Sequence, residues 1–469
     1  MKYQRFGTED NGKRSGLLMP TVADPDLVPF EPPDHPTIRA AFRNVIESYP
    51  PALYDEQGLV RYRTRFLDSV FVSEPELIHD ILVARADLFR RDDVARQLLS
   101  PMLGPTSLFM AEGADWKWQR RAVAPTFRPD RLLALVPTFS TIAMRQVERW
   151  RAAPRERPVD VAEAMAKTTF EVIAGTVLGS AGALDAEGFA RALTTELDSF
   201  PWRFILTAFR APPWLPYPGR RRAARAREHI YREAARLVAQ QRRMSARADL
   251  LDLLLQARDE ETGRMMTDEE LVRNLATFIL AGHETTAVAL TWTLWLLAKY
   301  PHVQDQVAAE AQATIGSGVV GADRVERLAF ARQVLQEAMR LYPPAPAISR
   351  QPLVPLVLAG EQLTPATQVT ITVYPLHRNR RVWKNPDSFD PNRFTVDQTK
   401  ARPRYAYLPF GAGPRVCIGA SFAMIEATVV LAILVHAFRF NTVTEHRPHP
   451  VARVTLRPRG GMPLYIEPR

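Results

Sequence analysis

Residues 410–419 read FGAGPRVCIG, and Cys417 within them is the only cysteine of the 469-residue chain. Glycines at 411, 413 and 419 and the proline at 414 make this a tight turn. The run ASFAMIEATVVLAILVHAF that follows reads as a long apolar helix. A thiol at a helix start is expected to have a lowered pKa, because free backbone N–H groups and the helix dipole stabilise the thiolate. Local chemistry leaves three roles open: nucleophile, metal ligand or buried structural cysteine. A nucleophile wants a histidine base, which the sequence cannot place. A lone protein ligand suits heme iron, whose porphyrin supplies the other four, and Arg415 would then reach a propionate as a charged donor.

The rest of the chain is consistent with such a site. At 52.9 kDa it exceeds the usual size of one small core, so two domains or one large mixed domain are expected. One cysteine excludes a disulfide framework, zinc ribbons and cysteine-ligated iron–sulfur clusters, and suits a reducing, cytoplasmic setting. The N-terminus MKYQRFGTEDNGKRSGLLMP carries charges throughout, and apolar stretches elsewhere are short or interrupted, so neither a signal peptide nor a transmembrane anchor is expected. Net charge is +10, concentrated in runs such as GRRRAARAREH (219–229). That run alternates into an amphipathic pattern, which argues for a solvated helix face and against nucleic acid; the charge suits an acidic redox partner instead.

Residues 1–60 look irregular, and GLVRYRTRFLDSVFVS reads as strand–turn–strand. Residues 75–345 are mainly helical, and short β segments follow in PLVPLVLAGEQL, TQVTITVYPL and ARVTLRPRGGMPLYIEP. One helix stands out. MTDEELVRNLATFILAGHETTAVALTWTLWLLAKYP opens with a Thr267/Glu270 capping box and stops at Pro301, a length of about 50 Å. Its apolar course breaks at Gly282, His283, Glu284, Thr285 and Thr286, and locally unfavourable polar groups in a buried helix tend to mark function.

These stretches together resemble the cytochrome P-450 family. FGAGPRVCIG matches its heme-binding signature Phe-x-x-Gly-x-Arg-x-Cys-x-Gly through Phe410, Gly413, Arg415, Cys417 and Gly419. AGHETT (281–286) is similar to its oxygen-binding motif, with Ala281, the acid Glu284 and the alcohol Thr285. QEAMR supplies the Glu-x-x-Arg pair Glu337 and Arg340, FDPNRF a further Arg393, and DWKWQRR the Trp-x-x-x-Arg pair Trp116 and Arg120. The short motifs mean little singly; their order, ending at the sole cysteine, carries the resemblance from about residue 60 onward.

The resemblance implies a mainly α fold with small β-sheets (α+β), a single heme domain over 1–469 without a fused reductase, and heme b between the long central helix and the cysteine loop. Cys417 would be the axial thiolate of the iron. Trp116, Arg120, Arg350 and Arg415 would serve the propionates, Phe410, Gly411 and Gly419 would shape the cysteine loop, and Ala281 would line the oxygen side. A kink at Gly282 would open a groove there, with Thr285 and Glu284 relaying protons. His283 and the set Glu337, Arg340 and Arg393 read as structural. The implied reaction inserts one atom of dioxygen into a hydrophobic substrate, with electrons from a separate ferredoxin or flavodoxin and its NAD(P)H-dependent reductase. Pocket walls are expected at 91–112, 199–218, 345–348 and 460–461, the aromatic 199–218 stretch also being a candidate membrane contact. A peroxygenase or isomerase is the alternative, disfavoured because Glu284 and Thr285 are intact; a non-catalytic heme- or nucleic-acid-binding protein is a remoter one.

Overall fold

A computed structural model describes residues 27, 44–55, 58–63, 68–154, 156–177, 185–208, 211–212, 214–243, 250–316, 320–452 and 454–469. The longer helices are α1 (Asp93–Leu103), α2 (Gly113–Val123), α3 (Val136–Arg151), α4 (Val161–Val177), α5 (Ala186–Asp198), α6 (Phe200–Ala208), α7 (Arg220–Arg243), α8 (Asp268–Lys299), α9 (Pro301–Ile315), α10 (Ala329–Leu341) and α11 (Ala420–Ala437). The strands are β1 (Leu59–Arg63), β2 (Asp68–Val72), β3 (Phe89–Arg90), β4 (Val159–Asp160), β5 (Ile348–Pro352), β6 (Leu356–Leu358), β7 (Glu361–Leu363), β8 (Gln368–Ile371), β9 (Phe438–Thr442), β10 (Pro450–Ala452), β11 (Leu456–Pro458) and β12 (Pro463–Pro468). The fold is the expected one, helix-rich with small sheets.

Helix α8 is its axis. The capping box forms as the sequence predicts: Thr267 Oγ1 accepts from Glu270 N, and the Glu270 carboxylate accepts from Thr267 N. Acidic residues fill the first turn and Lys299 sits in the last, both favourable to the helix dipole. From Ala287 to Ala298 every residue is buried, with α4, α7, α10 and α11 packed around the helix. The α7 run seen in the sequence is amphipathic, with Ala223, Ala226, Ile230, Ala234, Leu237 and Val238 buried and its arginines turned mostly outward. Among the described residues one helix, α11, is long and apolar enough to cross a membrane, and it lies in this core.

The largest sheet has the order β1-β2-β8-β5-β3, with β2 and β8 parallel and the other pairs antiparallel. It carries a second core of Val70, Val72, Ile78, Ile81, Leu82, Val369 and Ile371. The cysteine loop lies at the seam of the two cores: Ala412 packs on the sheet core and Ile418 on the helical one.

Two local expectations fail. TQVTITVYPL is strand only to Ile371, and Val373–Leu376 is a helical turn; Pro375 has no N–H for a ladder. Residues 44–55 were expected to be irregular but form two short helical turns with Ile46, Tyr49, Leu53 and Tyr54 buried. Asn44 fastens this segment to the C-terminal tail through Pro450 O and Ala452 N, both at 2.9 Å. Apart from Leu27, which is buried, residues before 44 lie outside the described residues, as do 56–57 of the same stretch.

Candidate functional site

The cysteine loop is built by backbone. Gly411 and Gly413 have φ of 72° and 71°, a region costly for other residues, and a Cβ on Gly413 would lie 1.8 Å from Leu82 O. Cys417 N donates to Phe410 O at 2.9 Å, closing the loop. Gly419 immediately precedes α11, and a Cβ there would meet nothing within 4 Å. Cys417 itself is exposed, yet burial pushes its thiol pKa up, while the Gly419 N–H and the Arg120 charge pull it down. A side chain set deep in the protein but not covered by its neighbours faces an internal space. The expectation of a lowered thiol pKa is therefore corrected: the N–H and the nearby cation are present, but loss of water outweighs them in the protein alone.

Beside this loop lies a cluster of arginines. Arg415 stacks on Trp116, with its guanidinium carbon 4.5 Å from the ring centroid, pairs with Glu112 and donates to Ala111 O at 2.8 Å. Among the described residues Arg350 on β5 donates only to its neighbour Ser349 O, at 2.8 Å, and burial with the Arg415 charge lowers its pKa to about 10. Arg91, which the sequence motifs did not single out, donates to Phe109 O at 2.8 Å, and its buried Nε has no partner among the described residues. Burial and the charges of Arg350 and Arg415 lower its pKa to about 9, so it stays charged at neutral pH. Arg120 is likewise lowered by burial, and Cys417 raises it. Arg91, Arg350 and Arg415 interact with Glu112, the first two also with Asp92, and Arg120 adds a fourth charge on the cysteine side, so two carboxylates leave two positive charges of this cluster unmatched. Two propionates, each singly negative, would balance that charge. With the thiol facing open space and the bare Gly419, the donor set fits heme b.

Opposite, α8 places its polar break. Ala281 is exposed although it stands in the middle of the core helix, and Thr285 is partly open one turn on; Thr285 Oγ1 donates to Ala281 O at 2.7 Å. Glu284 is turned elsewhere. Its carboxylate accepts from Thr455 Oγ1 at 2.7 Å and pairs with Arg457, whose side chain is 43% exposed. The acid therefore links the helix to the molecular surface and makes no direct bond to Thr285. His283 is buried edge-on to Phe170, burial lowers its pKa, and its carbonyl accepts from Thr169 Oγ1 at 2.9 Å, in keeping with a structural role. α8 is helical from Asp268 to Lys299 without interruption. A Cβ on Gly282 would lie 2.8 Å from Ile173 Cδ1, so this glycine admits α4 to close packing.

Glu337, Arg340 and Arg393 form the predicted buried set. Arg340 meets Glu337 at 2.6 and 2.8 Å and fills its remaining donors with His377 O, Pro386 O and Ser388 O, while Arg393 stands 3.4 Å from Glu337. His377, missed in the sequence, accepts from Leu408 N at 2.8 Å. Burial and the Arg340 charge hold it neutral, with a pKa near 3. A continuous chain of contacts therefore runs from the Glu337 pair to the segment entering the cysteine loop. No motif flagged His377 or Arg91, because each acts through tertiary neighbours remote in sequence.

Ala345, Ala347 and Ile348 are half-buried. Ser100, Pro101, Gly104 and Pro105 of the 91–112 stretch line a groove of about 810 Å³ against α7 and the start of α8, a different place from the one Cys417, Ala281 and Thr285 border. In the 199–218 stretch Phe200 is buried and Trp202 and Trp214 are exposed; residues 209, 210 and 213 lie outside the described residues. Gly461 is pressed against Asp160, where a Cβ would lie 2.2 Å from the carboxylate.

Comparison with known proteins agrees with this geometry. A family model described as Cytochrome P450 matches residues 53–463. The chain is 32% identical to cyclooctatin synthase of Streptomyces melanosporofaciens over 399 residues, 84% of this chain and 85% of that one. It is 31% identical to cytokinin hydroxylase of Arabidopsis thaliana (85% and 79% covered) and 29% identical to human cytochrome P450 4F12 (88% and 83%). The solved cytochrome P450DA heme domain superposes with a TM-score of 0.77 at 25% identity, covering 88% of this chain and 90% of that one.

Proposed function

This chain belongs to the cytochrome P450 family, and from that premise we propose that its monooxygenase chemistry is run between Cys417 on one side of the heme and Thr285 on the other, on a hydrophobic substrate. The enzyme is a heme-thiolate monooxygenase with heme b and a cysteine axial ligand, and Cys417 is the only cysteine there is. When bound, the heme supplies the activation of dioxygen and the insertion of one oxygen atom.

The protein's own residues would do the rest. The Gly419 N–H holds charge on the Cys417 sulfur, and Phe410 O fixes the cysteine backbone. Trp116, Arg120, Arg350 and Arg415, joined by Arg91, hold the propionates; Trp116 acts by keeping Arg415 flat against its ring. Thr285 presents its hydroxyl to the reaction space, and Glu284, held by Arg457 near the surface, would pass protons inward from solvent. The observation that carries the reading is the pairing of an open Cys417 with an open Ala281 and Thr285 in an otherwise buried helix.

Residues 1–469 would act as one heme domain in the cytoplasm, with electrons from a separate acidic ferredoxin or flavodoxin, a charge match for a chain of net +10. The relatives' names point to unlike substrates, so only the apolar character of the walls is carried over. The decisive test is the reduced carbonmonoxy spectrum. Wild type gives the strongly red-shifted Soret band of thiolate ligation and Cys417→Ala loses it; a variant that keeps the band overturns the assignment. Thr285→Ala keeps heme and the band but diverts reducing equivalents to peroxide, and unchanged coupling removes Thr285 from the relay.

A further inference from the structure

The chain from Met102 to Glu112, which ends α1 and leads into α2, is fastened along its length by two kinds of side chain. Neutral groups hold its first half. Tyr231 Oη donates to Met102 O at 3.0 Å, and Thr277 Oγ1 divides its proton between Leu103 O and Arg273 O. A pair of amides follows. Asn274 of α8 accepts from Leu108 N through Oδ1 at 2.7 Å and donates through Nδ2 to Gln119 Oε1 at 3.0 Å. Gln119 of α2 in turn donates to Thr106 O at 3.0 Å. The two amides are buried, at 1% and 2% exposure. Charged groups hold the second half. Arg91 donates to Phe109 O and Arg415 to Ala111 O, both at 2.8 Å; Arg415 also pairs with Glu112, which accepts from Arg91 N.

The backbone fixes the sense of the amide pair. The N–H of Leu108 needs an oxygen and the carbonyl of Thr106 needs an NH2 group, so each side chain can face the other in one orientation only. Asn274 stands seven residues before Ala281, close to two turns at about 3.6 residues each, and so on the same face of α8. The pair therefore ties that face to the segment whose carbonyls hold Arg91 and Arg415.

We propose that Asn274, through Gln119, is a positioning residue for the propionate-binding arginines: it fixes residues 106–112 so that Arg91 and Arg415 stay in their cluster, and in this way sets part of the reduction potential of the heme. Buried positive charge beside a heme favours the form that has gained an electron, so loosening these guanidinium groups lowers the potential. Asn274 and Gln119 carry no charge. An effect on the potential from removing either one must reach the iron through its neighbours.

This rests on the heme reading, but its first test does not. Amide exchange of the holoenzyme, followed by mass spectrometry over residues 104–112, is expected to be several-fold faster in Asn274→Ala and in Gln119→Leu than in wild type. Unchanged exchange in both overturns the proposal. The second test is a spectroelectrochemical titration without substrate. The potential is expected to fall in each variant, and in the double variant no further than in the larger single one, because both cut the same chain of bonds. In an Arg415→Gln background the fall is expected to shrink. A merely structural role would speed exchange and leave the potential where it is. Faster exchange at an unchanged potential, additive falls, or a fall of full size in the Arg415→Gln background each overturn the coupling. Gln119→Leu carries both tests if Asn274→Ala does not fold. Absence of the red-shifted carbonmonoxy band from wild type would instead remove the heme reading and leave the exchange result standing.

Discussion

Below the reaction space, Cys417 hangs from a loop fixed by Phe410 O, by the approach of Gly413 to Leu82 and by the His377–Leu408 bond that leads back to Arg340 and Glu337. Above it, Thr285 rests on one hydroxyl bond to Ala281 O within a helix that is regular throughout. Both sides rely on glycine, but differently. Gly413 holds a backbone shape other residues resist, whereas Gly282 is an ordinary helical residue that lets a neighbouring side chain come near. The ligand side is over-determined and its geometry is expected to survive few changes. On the oxygen side the chemistry lies in side chains, and substitutions there should alter reaction more than fold.

The most damaging change is expected in the network below the loop. Arg340→Ala leaves Glu337 fully buried without its bidentate partner, at a cost of about 3–5 kcal/mol, read as a lowered urea midpoint. Gly413→Ala comes next. The left-handed conformation adds about 1–2 kcal/mol and the contact with Leu82 O a further 1–3 kcal/mol, read in the same titration together with heme retention. A Gly413→Ala protein with wild-type stability and full heme would break the contrast at its strongest point.

The two sides were also unequally legible in the sequence. The cysteine loop, the capped central helix and the Glu337–Arg340 pair are local patterns, in which spacing along the chain sets spacing in space. Arg91 and His377 stayed hidden because Arg350, Arg415, Arg340 and Leu408 reach them only after folding. Glu284 was found, but its partner was not. Thr455 and Arg457 come from a distant hairpin, and no pattern of AGHETT tells which way its acid turns. The tight contact of Gly282 with Ile173 was hidden for the same reason, since the helix that carries Ile173 is more than 100 residues away in sequence.

A smaller effect separates the sides by pH. His377 has a folded pKa near 3, against an unfolded value of about 6.5. Between those values the unfolded chain binds the extra proton, so stability is complete above about pH 6.5 and falls by up to about 1.4 kcal/mol per unit as pH drops toward 3. Carboxylates add slopes of their own, so the measurement is the difference between wild type and His377→Gln, whose amide can still accept from Leu408 N. The variant is expected to have the shallower decline between pH 6.5 and about 5. Equal slopes would mean that His377 is not held neutral.

The smallest effect on stability is expected at Gly282, and it discriminates most sharply between the two uses of glycine. An alanine there gains about 1 kcal/mol of helix propensity over glycine, because its backbone is already helical. Against this stands the approach of the new Cβ to Ile173 Cδ1 at 2.8 Å, the far end of a side chain that can turn aside. The two terms nearly cancel, so Gly282→Ala is predicted to change stability by less than about 1 kcal/mol. Double substitution with Ile173→Val removes the offending methyl and should leave the helix gain uncovered, raising the urea midpoint above that of the Ile173→Val parent. If Gly282→Ala instead costs as much as Gly413→Ala, α8 depends on its glycine as the cysteine loop does, and the two sides of the site are held by the same means.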